Sequence, residues 1–360
     1  MRRVYALEVY QYPTPKSEAA EDYTELQALI RAARFVPVGG EIYQLRDLNG
    51  HTYLGSGKLE MLLPELLAQQ VDLVVIDAFI KPYQLKNIED VFNIEVADRT
   101  RLILEIFKQR AHSKEGKLQV ELAEAEYEIG RQIGGRGVEL SGLGKGVRGP
   151  GEQIAEKQRR AYRRKIKLLK DKLEEVKRTR EAHANRRRTE AQHLISLVGY
   201  TNAGKSTLLN ALMKSDEIVA RDQLFTTVDP TTRKIFLSLT ETGPRFAYVT
   251  DTVGFIRKLP HELVEGFEST LDLVAESELA LVVVDVSDPR WREKRENVLE
   301  TLDSIGSKAP LLFVYNKIDQ LPAGTTVPSD GIAVAAALGE GLDRLKQEIE
   351  RRVYGKERAL

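Results

Sequence analysis

The strongest chemical signal in the chain is the nine-residue run GYTNAGKST, from Gly199 to Thr207. It fits G-x-x-x-x-G-K-[ST], follows the apolar run ISLVG (195–199), and leads into LLNALM, which reads as a helix start. Gly199 and Gly204, with Asn202 and Ala203 between them, let backbone N–H groups wrap phosphates at a helix N-terminus. Lys205 is placed to reach the β- and γ-phosphates, Ser206 to join a Mg²⁺ shell, and Thr207 to complete the stretch.

Three further elements arrive in the order such a site needs. DTVG (251–254) closes the strand-like run FAYVT. There Asp251 can hold Mg²⁺ through water and Gly254 can aim its N–H at the γ-phosphate. NKID (316–319) closes LLFVY. Asp319 can accept hydrogen bonds from guanine N1 and N2, a pattern adenine does not offer, so the expected substrate is GTP. Lys317 packs along the base in this reading, and Asn316 ties the base loop to the phosphate loop. In AVAAALGEGLDRL (333–345), Ala335 and Ala336 can offer a backbone N–H to guanine O6. Between these elements, DQLFTTVDPTTRK (222–234) is a threonine-rich polar segment suited to ordering by Mg²⁺ and γ-phosphate. Thr227 is the expected Mg²⁺ ligand, with Thr226 and Thr231 as rivals. Lys205, Thr227 and Gly254 are the expected catalytic set.

One expected group is absent. The position directly after DxxG, where many GTPases carry a water-orienting glutamine, holds Phe255. Either a partner completes the site or another group substitutes. Asn202 is a candidate ligand for K⁺, and alternatively only braces the loop. Other signals read as structural: GSGK (55–58) lacks the upstream glycine and the following Ser/Thr, the five histidines show no ligand spacing, and Trp291 reads as packing or surface.

These groups need a scaffold. Residues 191–360 read as strand–loop–helix repeats, with strands at 195–199, 233–240, 246–251, 279–288, 310–317 and 332–336. That is a doubly wound P-loop domain with ligands at the carboxyl ends of its strands. Residues 1–112 read as a small α/β domain with a mostly parallel sheet, from strands at 4–10 and 71–79 and helices at 19–34 and 98–109. In residues 113–190, Leu118, Leu122, Ala125 and Ile129 mark one helix. Tyr162, Ile166, Leu169, Leu173 and Val176 mark a heptad-like seam on a second. With the glycine-rich loop 134–151 between them, they read as a long antiparallel hairpin. From Lys157 to Arg188 there are 15 Lys/Arg against four Asp/Glu, either a solvated face or a phosphate-contacting one.

The totals of 54 basic and 54 acidic residues balance, so this polarity is local. With no cysteine there is neither a disulfide framework nor a cysteine metal site. No apolar run approaches membrane-spanning length and the N-terminus lacks a secretion h-region, so the expectation is a soluble cytoplasmic protein.

The motifs together resemble the HflX family of translational GTPases over nearly the whole chain. The resemblance lies in GYTNAGKST (199–207), DQLFTTVDPTTR (222–233), DTVGFIRKLPHELVEGF (251–267), DRTRLILEIFKQRAHSKEGKLQVELA (98–123) and RGPGE (148–152). It implies a GTPase that binds the large ribosomal subunit, in several members splits whole ribosomes under stress, and is stimulated by that subunit. It also implies RNA contact by the tip (Arg136, Lys145, Arg148, Gly149, Pro150, Gly151) and by the basic helix (Arg159, Arg160, Arg163, Arg164). A monomer off the ribosome is expected. The chain departs from the family at GPGEQIAEKQRR (149–160), at GSGK, at Ala335 in place of serine, and in ending soon after the guanine loop without the additional C-terminal domain of some members. Two other readings stay open: a large-subunit assembly GTPase, and a nucleotide-gated RNA-binding or remodelling module.

Overall fold

Parallel strands cannot be joined by tight turns, so each pair demands a crossover, usually helical. Both sheets here obey that rule. The computed structural model describes residues 1–134, 150–189, 193–213, 231–255, 273–322 and 324–355, with side chains of 131–134, 150–155 and 179–189 excepted. The chain forms two compact units, Met1–Ala111 with Lys117–Leu173, and His112–Gly116 with Glu174–Leu360.

The first unit carries a four-stranded sheet in the order β2-β1-β3-β4. The strands are β1 (Arg3–Gln11), β2 (Val36–Leu45), β3 (Leu73–Ile76) and β4 (Glu95–Asp98). Every neighbouring pair is parallel. The crossovers are α1 (Lys16–Ala32), α2 (Ser56–Ala68) and α3 (Pro82–Phe92), and α4 (Arg99–Arg110) follows β4. The LVVI of β3 is buried along its length, as a central parallel strand between two helical layers must be. Asp98 caps α4, its carboxylate accepting the Arg101 N–H at 2.9 Å. Two strands and two helices of this unit are not read from the sequence. Val36–Leu45 contains VPVGG, poor in strand formers, and Glu95–Asp98 is too short to show a period.

At the carboxyl ends of these strands lies a buried charge cluster. Carboxylate oxygens of Glu8, Asp22 and Asp77 lie within 4.8 Å of one another. The Arg99 guanidinium, on the first residue of α4, donates to Asp77 at 2.6 Å and also pairs with Glu25. Burial opposes its charge, but Asp77 and Glu25 outweigh burial and hold its pKa above the ordinary arginine value.

Two helices follow, α5 (Lys114–Gly134) and α6 (Pro150–Thr189). The seam expected on α6 is its less exposed face. Leu169 is buried, Tyr162, Ile166, Leu173 and Val176 are half-buried, and Arg163, Arg164, Lys167 and Leu168 between them are exposed. On α5, Leu118, Leu122 and Ala125 are buried. Glu126 pairs with Lys170 at 2.9 Å, and Glu124 with Lys108 at 3.0 Å. The expected loop 134–151 is shorter at both ends. Gly134 closes α5, and Pro150 and Gly151 form the first turn of α6, where a proline's missing N–H costs nothing.

The second unit holds a six-stranded sheet in the order β10-β9-β8-β5-β7-β6. Its strands are β5 (Leu194–Gly199), β6 (Thr231–Thr240), β7 (Gly243–Asp251), β8 (Leu279–Asp285), β9 (Leu311–Asn316) and β10 (Gly331–Ala333). Among the described strands, only the β6–β7 pair is antiparallel. The helices described are α7 (Lys205–Met213), α8 (Trp291–Ser304) and α9 (Leu342–Tyr354). One apolar cluster joins α7 and α9 to the sheet, including Leu197, Leu208, Val249, Leu281 and Ile349. A second, with Val198, Val282, Val298 and Leu302, joins α8 to it. Strand order reverses at β5, so the loop leaving β5 opens at the topological switch point, where ligands bind in such sheets. Among the described residues, no helix is long and apolar enough to cross a membrane.

Candidate nucleotide site

The loop after β5 is shaped by what its neighbours leave room for. A Cβ on Gly199 would lie 2.3 Å from the Val283 carbonyl oxygen of β8. A Cβ on Gly204, at φ +89°, would lie 2.2 Å from Asn316 Nδ2. Neither position admits a side chain. Asn202 takes a left-handed conformation, φ 64°, which asparagine tolerates better than most residues. The loop then turns into α7.

Lys205 opens α7 and is 7% exposed. Its Nζ donates to the carbonyl oxygens of Gly199 and Tyr200, both at 3.0 Å. Burial pushes its pKa down to about 8, with Asp251 pulling the other way. A buried ammonium whose hydrogen bonds, among the described residues, go to loop carbonyls is a cation poised for an anionic partner. The Ser206 hydroxyl donates to Asp251 Oδ2 at 2.6 Å. Asp251 ends β7 and is 2% exposed. A hydroxyl and a carboxylate this close form a hard oxygen donor pair that suits Mg²⁺. Thr231, the first residue of β6, lies opposite Asp251 in the β6–β7 register. Thr226 and Thr227 lie outside the described residues.

Gly254 is wedged against the same loop. A Cβ there would be 2.8 Å from Lys205 Nζ and 2.9 Å from Thr201. Phe255 then clamps DxxG to the phosphate loop through its backbone, its N–H donating to Gly199 O at 3.1 Å and its carbonyl accepting the Thr201 N–H at 2.6 Å. Its ring is buried in the cluster with Tyr200, Val274 and Val282. That ring serves the core and has no hydrogen-bonding group with which to orient water.

Asn316 joins the two ends of the site. Its Nδ2 donates to Ala203 O at 2.9 Å, and its Oδ1 accepts the Ala336 N–H at 3.1 Å. The Ala335 N–H goes to Glu340 O at 3.1 Å. Both alanine amides expected to face guanine O6 are therefore engaged within the protein, and reaching the base requires one of them to be shared. Lys317, at φ 64°, pairs through Nζ with Asp285 Oδ2 at 2.7 Å. Asp319 is exposed, on the short 3-10 turn Ile318–Gln320. Asp285 was not among the residues read from sequence. Its position at the end of the apolar run LALVVV, one strand from NKID, is the only signal that could have marked it.

The structure separates the RNA candidates. Arg160, Arg163 and Arg164 are exposed on α6 and, with Glu156 and Lys157, line a recess of about 690 Å³. Arg159 is half-buried, and Arg160 is partly neutralised by Glu156 at 2.5 Å. Of Pro150 and Gly151 only the helical backbone is described, while Arg136, Lys145, Arg148 and Gly149 lie outside the described residues.

Comparison with known proteins covers all three stretches. Residues 20–108 match the family described as GTP-binding GTPase N-terminal, 110–187 the GTP-binding GTPase Middle Region, and 194–317 the 50S ribosome-binding GTPase. The GTPase HflX of Caldanaerobacter subterraneus subsp. tengcongensis is 44% identical over 340 residues, spanning 94% of this chain and 78% of that one. The GTPase HflX of Escherichia coli (strain K12) is 36% identical, spanning 93% and 80%. The crystal structure of the SsGBP and GDP complex matches at TM-score 0.53 and 24% identity over 99% of both chains, a likeness of fold. With relatives at this identity over most of its length, and with phosphate loop, DxxG and NKxD brought to one sheet edge, the chain belongs to the HflX family of GTPases.

Proposed function

We propose that this GTP hydrolase binds the large ribosomal subunit and couples its nucleotide state to ribosome splitting or rescue under stress. The observation that carries the reading is one of chain continuity. The 40-residue helix α6, with Arg163 and Arg164 exposed, ends just before β5, whose last residue is the first glycine of the phosphate loop. Clustered exposed arginines bind RNA phosphates and release counterions. The 50S ribosome-binding GTPase family match points to the large subunit as the source of that RNA. In this reading residues 1–112, 113–190 and 191–360 are three functional parts, the middle one an antiparallel hairpin whose tip meets ribosomal RNA. Localisation in the cytoplasm follows from the ribosome as partner.

Hydrolysis is positioning and charge stabilisation. Lys205 and the loop N–H groups bind the phosphates, and Gly199 and Gly204 let the backbone approach them. Ser206, and Asp251 through water, would hold Mg²⁺, with Thr227 joining in the GTP state. Bound Mg²⁺ supplies positive charge to the phosphate oxygens. Asn316, Lys317, Asp319, Ala335 and Ala336 select guanine. Because the Phe255 ring cannot orient water, turnover depends on a partner. K⁺ at Asn202 would add charge beside the phosphates; equal rates in K⁺ and Na⁺ at one ionic strength would remove that element.

The test is GTP turnover by the protein alone and with large subunits, small subunits or whole ribosomes at fixed salt and Mg²⁺. Large subunits should stimulate by about tenfold or more, as partner-completed GTPase sites do. No stimulation would detach the site from mature ribosomes and move the target to an assembly intermediate or free structured RNA.

A further inference from the structure

Thr201, the third residue of the phosphate loop, has a hydroxyl that the described fold does not use. Its Oγ1 is buried and finds no hydrogen-bond partner among the described residues, and the residue is 6% exposed. Buried hydroxyls are almost always paired, and one left over usually marks a strained or functional position. The backbone of Thr201 is accounted for, its N–H donating to Phe255 O at 2.6 Å. The side chain is not. A valine would fill the same volume without desolvating a polar group, so packing alone gives no reason for threonine here.

Its neighbours say where the Thr201 side chain sits. A Cβ built on Gly254 would fall 2.9 Å from Thr201 Cγ2 and 2.8 Å from Lys205 Nζ. The Thr201 methyl, Gly254 and Lys205 Nζ therefore converge on one point, with Oγ1 carried by the same Cβ as that methyl; this is the γ-phosphate end of the loop if Gly199–Thr207 and Asp251–Gly254 bind GTP as read above. At that end the chain lacks the glutamine that many GTPases place after DxxG, and Phe255 has its ring in the core. The site is short of one hydrogen-bond donor, and the one nearby buried hydroxyl without a described partner belongs to Thr201.

We propose that Thr201 is a catalytic residue of this GTPase, its Oγ1–H donating to a γ-phosphoryl oxygen as negative charge builds there. The hydroxyl keeps its proton throughout. The water oxygen bonds to the γ-phosphorus while the bond from that phosphorus to the β–γ bridging oxygen breaks. The electron pair leaves with GDP, and the water's proton passes to the released phosphate. Thr201 acts as a donor that strengthens toward the transition state, the role of an oxyanion-hole group. The inference rests on the phosphate-loop reading, and the test keeps the two separable.

The experiment compares wild type, Thr201→Val, Thr201→Ala and Thr201→Ser in the full-length protein. Single-turnover GTP hydrolysis is measured with and without large ribosomal subunits, and GDP and non-hydrolysable GTP affinities are measured on the same samples. Thr201→Val should lower the hydrolysis rate by about 10²-fold, the loss seen when one oxyanion-hole donor is removed. GDP affinity should stay within about twofold, since GDP lacks the group the hydroxyl serves. Thr201→Ser, which keeps the donor, should recover most of the rate, and Thr201→Ala should match Thr201→Val if the valine methyl is harmless. Wild-type hydrolysis by both Thr201→Val and Thr201→Ala overturns the inference. So does an equal loss of GDP and GTP affinity in all three variants, which would make Thr201 a structural residue of the loop. Failure of the wild type itself to bind GDP would instead overturn the phosphate-loop reading.

Discussion

The two sheets of this protein use the same device and fill it differently. Each has parallel strands whose carboxyl ends open a crevice where the strand order reverses, between β1 and β3 in one and at β5 in the other. In the first unit the protein supplies its own cation. Arg99 is fully buried against Asp77 and Glu25, with Glu8 and Asp22 beside them. In the second unit Gly199, Gly204 and Gly254 bring backbone close to the crevice, and its buried cation, Lys205, makes its described hydrogen bonds to the carbonyls of Gly199 and Tyr200, with the Asp251 carboxylate opposing part of its burial. An arginine with two carboxylate partners is bound into the core. A lysine on two neutral carbonyls, with burial lowering its pKa to about 8, gains by meeting phosphate. The same topology thus gives a closed structural centre in one place and a candidate ligand site in the other.

Substitution of the two cations tests this contrast most strongly. Arg99→Met leaves Asp77 and Glu25 without their buried partner and should destabilise the first unit by about 3–5 kcal/mol. Hydrogen exchange should show loss of protection in the β1 and β3 amides and little change in β5 and β8, with GTP turnover per folded molecule preserved. Unchanged protection in β1 and β3 would mean the cluster is not what holds that sheet. Lys205→Ala should do the reverse, reducing hydrolysis by about 10²–10³-fold as a lost phosphate-stabilising group does. Its melting temperature should stay at or above that of the wild type, because a buried ammonium has been removed. A fall in melting temperature like that of Arg99→Met would erase the distinction between the two centres.

Smaller effects sharpen the picture within the GTP site. Asn316→Ala leaves Ala203 O and Ala336 N–H without their partner and should cost about 1–3 kcal/mol, read as weaker binding of both GTP and GDP. A change confined to hydrolysis would place Asn316 in the chemistry instead. The smallest effect is the pH dependence of Lys205. Its pKa in the folded protein is lowered to about 8 by burial, against an ordinary 10.5 when unfolded. Between those values the unfolded chain binds more protons, so the folded protein gains stability as pH rises through that window. Nucleotide binding requires the ammonium, so affinity should fall above pH 8 by up to about tenfold per pH unit, with proton uptake near pH 9. Calorimetry in buffers of different ionisation enthalpy would detect it. No proton uptake would mean that Lys205 is already charged in the empty site.

Much of the site was legible because its parts are contiguous. Phosphate loop, DxxG and NKxD each combine a strand end with a turn, and each carries its signal in residue type and close spacing. The six described strands of the second unit all overlap the apolar runs that predict them, although IAVAA (332–336) and the observed Gly331–Ala333 share only Ile332 and Ala333. The α6 seam follows from period alone. The first unit was less legible, since β2 carries proline and glycine and β4 has four residues, leaving neither propensity nor period to read.

The sequence by itself determined which residues are the candidates for phosphate and base, the nucleotide class, and the absence of a glutamine after DxxG. These depend on local chain geometry, which residue type and spacing encode directly. Tertiary structure alone decided the rest: Asn316 bonds Ala203 across 113 residues, Asp251 meets Ser206 across 45, and Asp77 meets Arg99 across 22. It also leaves the Thr201 hydroxyl buried at the junction of phosphate loop and DxxG. Those pairings are set by which strands lie side by side and in what register. Strand order is a property of the packed sheet, and no local pattern along the chain records it.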